Sequence, residues 1–325
     1  MAVQNNLRRP GEHPPEAPER EPAVDVRGLR MRYGTHDVLN GVDLRVEQGE
    51  VLVLLGPNGA GKTTTVEILE GFRGRSSGEV SVLGVDPDRG NEAWRARLGV
   101  VLQSWRDHAK WRVRELLAHF AAHYAPYGTP ERPRPRDVDE LLETVGLTEQ
   151  ADAKVGSLSG GQRRRMDVAV GIVGRPELLF LDEPTAGFDP VARRDFHALV
   201  QRLAGEEGTT ILLTTHDLDE AEKLADRILI LSGGTIVAGG SPAALAAQLE
   251  SDAEVRWTHR GERQVTFTPD GTGFARKLFE RHGEEIEDLQ VRRPGLEEVY
   301  LEMVRLHESG RAEEAAGSIP LRRQQ

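Results

Sequence analysis

The stretch "VLVLLGPNGAGKT", residues Val51 to Thr63, joins a continuous apolar run to a glycine-rich loop that contains one lysine. It matches the pattern G-x-x-x-x-G-K-[ST], and a helical run follows it, which is the strand–loop–helix context that this motif requires. Glycines in such a loop let backbone N–H groups approach phosphate oxygens, while Lys62 reaches the β- and γ-phosphates and Thr63 binds Mg²⁺. The alternative is a chance lysine in a glycine-rich turn, which the scarcity of lysine disfavours, since the 325 residues contain five.

Two carboxylates follow a second apolar run, in "LLFLDEPTAGFDP" from Leu178 to Pro190. After a phosphate loop, this pattern predicts that Asp182 binds Mg²⁺ and that Glu183 orients or deprotonates a water molecule. Carboxylates at strand ends can also simply cap a loop.

His216 ends a further apolar run, 33 residues after Glu183. A lone histidine is often structural or merely exposed. Ligands of α/β proteins, however, bind at the carboxyl edge of the parallel sheet. We therefore expect His216 to contact the γ-phosphate.

A second anion site is predicted at "LSGGQ", Leu158 to Gln162, whose serine lies 97 residues after Lys62. A hydroxyl and two glycine amides open a helix there, and helix N-termini attract phosphate. The following residues form one apolar face that would anchor this helix: Met166, Ala169, Val170 and Val173. The sequence thus contains two phosphate-binding motifs that are far apart along the chain.

Composition excludes several classes of protein. A chain of 325 residues favours two domains, and its net charge of −11 argues against a nucleic-acid-binding protein, which usually carries a basic excess. The absence of cysteine excludes disulfides and thiolate ligands. The longest uncharged stretch, Ile228 to Leu249, is interrupted by the turn signals "SGG" and "GGSP", so we expect no membrane-spanning helix.

Apolar runs typical of strands covered on both faces alternate with helical patterns from about Val24 to about Leu249, which predicts an α/β core with a parallel sheet. The predicted strands are Val51 to Leu55, Leu98 to Leu102, Leu178 to Leu181, Thr209 to Thr215 and Arg227 to Leu231. Within this core, apolar residues at helical spacing predict that Arg112 to Gly146 is mostly two helices of an inserted lobe. Beyond Asp252, the stretches "EVRWTH" and "RQVTFT" alternate in the manner of β-strands. A helical pattern follows them, at Leu296, Val299, Tyr300 and Met303.

With these motifs in order, the segment from Val24 to Leu249 resembles the nucleotide-binding subunit of an ATP-binding cassette (ABC) transporter, and "LSGGQ" is the most specific element of the match. The resemblance implies a P-loop NTPase cassette of the α/β class, with a parallel-sheet core, an antiparallel β subdomain and an inserted helical lobe. It divides the chain into a disordered arm (1–22), an ATPase domain (23–250, helical lobe about 104–175), a small C-terminal α+β appendage (251–306) and a polar tail (307–325).

The resemblance also implies roles for single residues. Tyr33 would stack on adenine, although a core aromatic at a strand end has the same pattern. Gln103 would contact Mg²⁺ and the attacking water, and Asp189 would lie in the loop that links the two sites of a dimer. The phosphate loop would comprise Gly56, Pro57, Asn58, Gly59, Ala60, Gly61, Lys62, Thr63 and Thr64, and the signature Ser159, Gly160, Gly161 and Gln162.

Two departures from the family pattern concern neighbours of these residues. Phe188 stands where the family usually has leucine, a conservative change beside Asp189. The segment after Gln103 contains Trp105 and Trp111, which predicts an unusual contact with a membrane partner. We expect Trp105, Arg106, Trp111 and Arg112 to form that docking patch, because tryptophan and arginine are enriched at interface hot spots. The alternative is that the tryptophans fill the core of the lobe.

A homodimer would explain why one chain contains two separate phosphate-binding motifs. Pairing about a two-fold axis would place Ser159 and Gly161 of one chain on the γ-phosphate held by Lys62 of the other. Two ATP molecules would then hold the closed dimer together, and hydrolysis would reopen it.

The C-terminal "RPGLEEVYLEMV" resembles the drug and antibiotic exporter branch, in which a separate membrane subunit forms the pore. The resemblance therefore predicts an exporter ATPase, bound through that permease to the cytoplasmic face of the membrane and without a nucleic-acid partner. The alternative is a non-transport ABC ATPase that acts on nucleic acid or the ribosome. Against it, the chain has one cassette and no sustained heptads between the two phosphate motifs. A P-loop kinase would leave "LSGGQ" unexplained, and a sugar importer would have a longer all-β regulatory domain.

Overall fold

The structure is a computed structural model of the chain. It describes residues 21–101, 108–185, 187–248 and 253–292, together with 297, 300, 301, 303 and 304. The predictions for Gln103, Trp105, Arg106, Leu296 and Val299, for most of the N-terminal arm and for the polar tail lie outside the described residues.

A six-stranded sheet forms the centre of the molecule, with the order β5-β6-β7-β3-β8-β9. Its strands are β3 (Val51–Leu55), β5 (Leu98–Val101), β6 (Leu178–Asp182), β7 (Thr210–Thr215), β8 (Arg227–Ser232) and β9 (Thr235–Gly240). The first five run parallel to one another, and only β9 runs antiparallel, next to β8. The predicted parallel α/β core is therefore confirmed.

A second sheet of three antiparallel strands packs beside this core, in the order β2-β1-β4. It consists of β1 (Val24–Tyr33), β2 (His36–Val46) and β4 (Ser77–Val82). Successive side chains of β3 point to opposite faces of the central sheet, and both faces are buried. Val51, Val53 and Leu55 join one apolar cluster with the helical lobe, whereas Leu52 and Leu54 join another with the antiparallel sheet.

Nine α-helices are defined within the described residues. They are α1 (Lys62–Leu69), α2 (Glu92–Arg95), α3 (Val113–Tyr124), α4 (Val138–Thr144), α5 (Gly160–Ile172), α6 (Pro190–Gly205), α7 (Leu218–Leu224), α8 (Pro242–Gln248) and α9 (Gly271–His282). Helices α3 and α4 lie within Arg112 to Gly146, where the apolar spacing predicted two helices. None of the helices in the described ranges has both the length and the apolar composition needed to cross a membrane.

Helix α5 is buried more widely than its predicted single apolar face. Besides Met166 and Ala169, the structure buries Arg164, Val168 and Ile172. The C-terminal part of the helix lies close against β5, since a Cβ atom on Gly99 would lie 2.3 Å from the carbonyl oxygen of Gly171. This contact fixes the helix that begins at the "LSGGQ" motif directly against the central sheet.

The C-terminal part contains a third sheet, in the order β11-β10-β12, with α9 packed on it. Its strands are β10 (Ala253–His259), β11 (Glu262–Thr268) and β12 (Ile286–Arg292). Trp257 and Phe274 pack ring against ring at 5.6 Å between β10 and α9. Further along the chain, Met303 is buried within the apolar cluster of the main core. The predicted domain boundaries, from 23 to 250 and from 251 to 306, remain predictions.

Candidate nucleotide-binding and catalytic site

The phosphate loop leaves the end of β3 and enters α1 through two glycines with left-handed backbone conformation. Gly59 has a φ angle of +82° and Gly61 one of +104°. A Cβ atom on Gly61 would lie 2.6 Å from the Leu39 side chain and 3.1 Å from the carbonyl oxygen of Val38, so only glycine fits there. No described side chain caps the start of α1. The first N–H groups of the helix are therefore available to bind an anion in the loop.

A cavity of about 500 Å³ lies over this loop. Its lining residues are Val38, Pro57, Asn58, Gly59, Gly61, Lys62, Thr63, Thr64, Glu183 and His216. The structure thus brings the phosphate loop together with Glu183 and His216, as the two motifs and their strand ends predicted. Their roles towards nucleotide remain predictions.

Lys62 is buried, and its ammonium group lies inside the curve of the loop. The Nζ atom donates to the carbonyl oxygens of Gly56 at 2.7 Å and Pro57 at 3.3 Å, and lies 3.2 Å from Oε1 of Glu183. This cation is positioned to compensate phosphate charge, and it also orients the carboxylate of Glu183.

Asp182, the last residue of β6, lies within hydrogen-bonding distance of Thr63 in the first turn of α1. Thr63 Oγ1 donates to Asp182 Oδ2 at 3.2 Å, while Thr214 Oγ1 donates to Asp182 Oδ1 at 2.5 Å. A hydroxyl and a carboxylate beside a phosphate loop suit Mg²⁺, which prefers oxygen ligands and substrate phosphates. Thr214 is not among the site residues predicted from sequence, although it is the next-to-last residue of the strand that leads to His216.

Glu183 is the most strained residue of the site. Its φ angle is +46°, a left-handed conformation that costs a non-glycine residue about 1–3 kcal/mol. The backbone N–H donates to the carbonyl oxygen of Thr214 at 3.1 Å, and Oε2 lies 2.5 Å from Nδ1 of His216. His216 was predicted as a γ-phosphate contact, and in the structure its described partner is Glu183. A carboxylate held between Lys62 and His216 at the rim of the cavity is suited to orient a water molecule.

The "LSGGQ" motif lies apart from this cavity, none of whose lining residues belongs to it. Ser159 is the N-cap of α5, and its hydroxyl accepts from the N–H of Gln162 at 3.3 Å. In return, the N–H of Ser159 donates to Oε1 of Gln162 at 3.0 Å, which completes a capping box. Ser159 and Gly160 are exposed. The second predicted phosphate site is therefore an open helix N-terminus on the surface.

Tyr33 and Asp189 are also among the described residues, and their predicted roles remain predictions. Tyr33 is 39% exposed, and the guanidinium of Arg73 lies 5.3 Å from its ring centroid, so this tyrosine is not a core aromatic. Asp189 is the N-cap of α6, where its carboxylate accepts from the N–H groups of Val191 at 3.0 Å and Ala192 at 2.8 Å.

Glu70 is a buried carboxyl group near the site that the sequence analysis did not identify. It is 5% exposed at the C-terminal end of α1. Burial raises its pKa to about 8, and the nearby charges of Asp182 and Glu67 contribute in the same direction. A glutamate at the end of a short helix resembles a surface residue in sequence, so no pattern reveals its burial.

Comparison with known proteins agrees with the fold. Residues 39–186 match the model of the ABC transporter family. The daunorubicin resistance ATP-binding protein DrrA3 of Streptomyces coeruleorubidus is 37% identical over 306 residues, which cover 86% of this chain and 95% of that protein. The Nod factor export ATP-binding protein I of Burkholderia orbicola is 43% identical over 225 residues, covering 68% of this chain and 72% of that protein.

Solved structures give the same result. The cbiO1 subunit of the cbiONQ ABC transporter complex from Clostridium perfringens superposes with a TM-score of 0.61 at 27% identity, covering 70% of this chain and 91% of that chain. A nucleotide-free ATP-binding cassette from an ABC transporter superposes with a TM-score of 0.59 at 25% identity, covering 68% and 91%.

Fold and site together define an ATP-binding P-loop ATPase of the cassette type. The chain belongs to the ABC transporter family, as an ATP-binding subunit.

The buried carboxyl of Glu70 predicts a specific dependence of stability on pH. The folded chain retains a proton up to about pH 8 that the unfolded chain releases near pH 4.5, so stability falls as pH rises through this window. Glu70→Gln removes the effect, and its stability relative to the parent should grow with pH by up to roughly 1.4 kcal/mol per pH unit. Urea unfolding of both proteins without nucleotide, across this pH range, measures the difference.

Glu79→Gln is the control, because Glu79 is an exposed glutamate on β4. It should leave the pH dependence of the parent unchanged. Parallel stability curves for the parent and Glu70→Gln would show that Glu70 ionises normally in the folded chain.

Proposed function

We propose that this chain is the ATP-hydrolysing subunit of an exporter that moves an antibiotic or similar small molecule through a separate membrane subunit. The names of the relatives support export, since both describe proteins of resistance or export. The chain would be held at the cytoplasmic face of the membrane by that subunit. The observation that carries the mechanism is the separation of two phosphate-binding elements within one chain.

The open N-terminus of α5 favours a homodimer with shared sites. Ser159 and Gly160 are exposed, whereas the phosphate cavity is lined by other residues of the same chain. In a two-fold dimer, the signature of each chain would complete the cavity of its partner, so that two ATP molecules lie in the interface. Shifting an open pair from 1:99 to 99:1 closed requires about 5.5 kcal/mol of differential binding, to which both nucleotides would contribute.

Different residues around the cavity would bind the phosphates, hold Mg²⁺ and accept the proton during hydrolysis of ATP. Lys62 and the N–H groups of the loop would bind the β- and γ-phosphates, and Asp182 with Thr63 would hold Mg²⁺. When bound, Mg²⁺ neutralises charge that develops on the phosphates. Glu183, oriented by His216, would accept a proton from the water that attacks the γ-phosphorus, and the bond between the β–γ bridging oxygen and that phosphorus would break. Loss of the γ-phosphate then weakens the closed dimer.

The surface for the membrane subunit is proposed on the helical lobe. Trp111 is 37% exposed, and its ring lies 5.6 Å from that of His108 and 5.2 Å from that of His119. Arg112 of the predicted patch is also exposed, and its side chain donates to the carbonyl oxygen of Asp152 at 2.7 Å. We propose that the docking surface comprises Arg112 and the aromatic group of His108, Trp111 and His119.

Glu183→Gln tests the assignment of the general base. The amide keeps the shape of the side chain but cannot accept the proton, and loss of a general base typically lowers the rate about 10²–10⁴-fold. We expect retained ATP binding, a kcat reduced by such a factor, and a dimer that persists in sedimentation experiments with MgATP. The control is Glu222→Gln on α7, an exposed glutamate outside the cavity. Hydrolysis by Glu183→Gln at the parental rate would show that another group is the base.

Ser159→Arg tests whether the site is shared between chains. The exposed arginine should leave nucleotide binding to the monomer unchanged and block closure of the dimer, whereas Lys62→Ala should weaken binding directly. Titration with a fluorescent ATP analogue and ATPase assays separate the two effects. A mixture of the two variants should regain activity, because a heterodimer contains one intact composite site. Loss of nucleotide binding by Ser159→Arg monomers would contradict the shared geometry.

Trp111→Ala tests the docking surface. Truncation of an aromatic hot spot typically costs more than about 1 kcal/mol of binding energy, so co-purification with the membrane subunit and cellular efflux should fall while basal ATPase activity is unchanged. Phe72→Ala is the control, because Phe72 is 68% exposed at the end of α1, outside the lobe. A sharp drop in melting temperature with intact assembly would instead identify Trp111 as a residue of the lobe core.

A further inference from the structure

A buried arginine connects the signature helix to the catalytic turn of the same chain. Arg164 lies on α5 and is 7% exposed. Its Nε donates to the carbonyl oxygen of Pro184 at 2.8 Å, and its Nη2 donates to the carbonyl oxygen of Asp182 at 3.2 Å. These two carbonyl groups belong to the residues on either side of Glu183. The guanidinium therefore bridges the peptide segment that carries the predicted base.

The bridged segment is one that needs external support. Glu183 has a φ angle of +46°, which side chains other than glycine rarely adopt. From the opposite side, the N–H of Glu183 donates to the carbonyl oxygen of Thr214 at 3.1 Å and lies 3.2 Å from its hydroxyl. The turn is thus held by β7 through its N–H and by α5 through its two flanking carbonyl groups. Residues in such conformations persist only where their surroundings fix them.

Burial of a charged guanidinium requires compensation. Nη1 of Arg164 lies 4.0 Å from Oδ2 of Asp167, one turn further along α5. Burial lowers the pKa of Arg164, while the negative charges of Asp167, Asp182 and Glu220 act in the opposite direction. Removing a charge from water is destabilising unless the charged group forms good hydrogen bonds. The guanidinium of Arg164 donates such bonds to two backbone carbonyl oxygens.

We propose that Arg164 is a positioning residue that holds the strained backbone of Glu183, and with it the carboxylate, in the orientation needed for hydrolysis. This inference rests on the proposed role of Glu183 as the base. Because the same helix begins at Ser159, a displacement of the signature is transmitted through Arg164 to the turn at Glu183. Each chain therefore has a direct link between the half-site it offers to its partner and the base of its own site.

Arg164→Lys is the informative substitution. It keeps a buried cation beside Asp167, but a single ammonium group cannot reproduce the planar fork that bridges two carbonyl groups. We expect a kcat for ATP hydrolysis that is lower by about tenfold or more, with KM for ATP within about twofold of the parent, since a group that acts only on the catalytic step leaves ground-state binding unchanged. Arg165→Lys is the matched control on the same helix, because Arg165 pairs with Asp195 at the surface. It should change neither constant.

The decisive comparison uses the Glu183→Gln background. If Arg164 acts through Glu183, Arg164→Lys should leave the residual rate of Glu183→Gln unchanged, because effects of groups that act as a unit are not additive. The proposal is overturned if Arg164→Lys lowers kcat by the same factor in the parent and in Glu183→Gln. It is also overturned if Arg164→Lys alone has the parental kcat. A parental rate in Glu183→Gln alone would instead refute the base assignment. If the lysine variant does not fold, Arg164→Gln, with its neutral amide, enters the same cycle.

Discussion

The parallel register of β3, β6 and β7 is the constraint on which the site depends. It pairs Leu55 with Thr215 and Asp182 with Thr214, so that three strands end at one edge of the sheet. The phosphate loop and His216 directly follow β3 and β7, whereas Asp182 is the last residue of β6 and Glu183 follows it. Strands buried on both faces cannot slip in register without exposing apolar side chains, and the geometry of the site is thereby fixed by the core.

At this edge of the sheet, the ion pair between Lys62 and Glu183 orients the carboxylate that is predicted to be the base. Lys62 lies 3.2 Å from Glu183, and both side chains are largely buried. Phosphate oxygens introduced into the loop would compete for the ammonium group, because both are anionic partners of the same cation. Binding of nucleotide is thus expected to leave the carboxylate of Glu183 to His216 and water. The strained turn at Glu183 makes this residue sensitive to its supports, which come from β7 and from the signature helix.

Contiguous motifs allowed much of this arrangement to be predicted. The phosphate loop, Asp182, Glu183 and His216 each follow an apolar run, and strand ends meet at one edge in a parallel sheet. Thr214, Glu70 and Arg164 were missed because their significance depends on partners distant in sequence, such as Asp182. The apolar face of α5 was predicted too narrowly, since periodicity does not show that Gly171 packs against β5. Tyr33 and Gln103 rest on the family resemblance, and Gln103 lies outside the described residues.

In the proposed dimer, the signature of one chain completes the phosphate site of another. The chain contains no cysteine, so engineered pairs can be cross-linked without background. Asn58→Cys and Gly160→Cys variants, each also carrying Glu183→Gln, would be mixed and treated with a short bismaleimide. We expect an inter-chain cross-link that requires both variants and MgATP. A cross-link within one chain carrying both cysteines, or none in the mixture with MgATP, would contradict it.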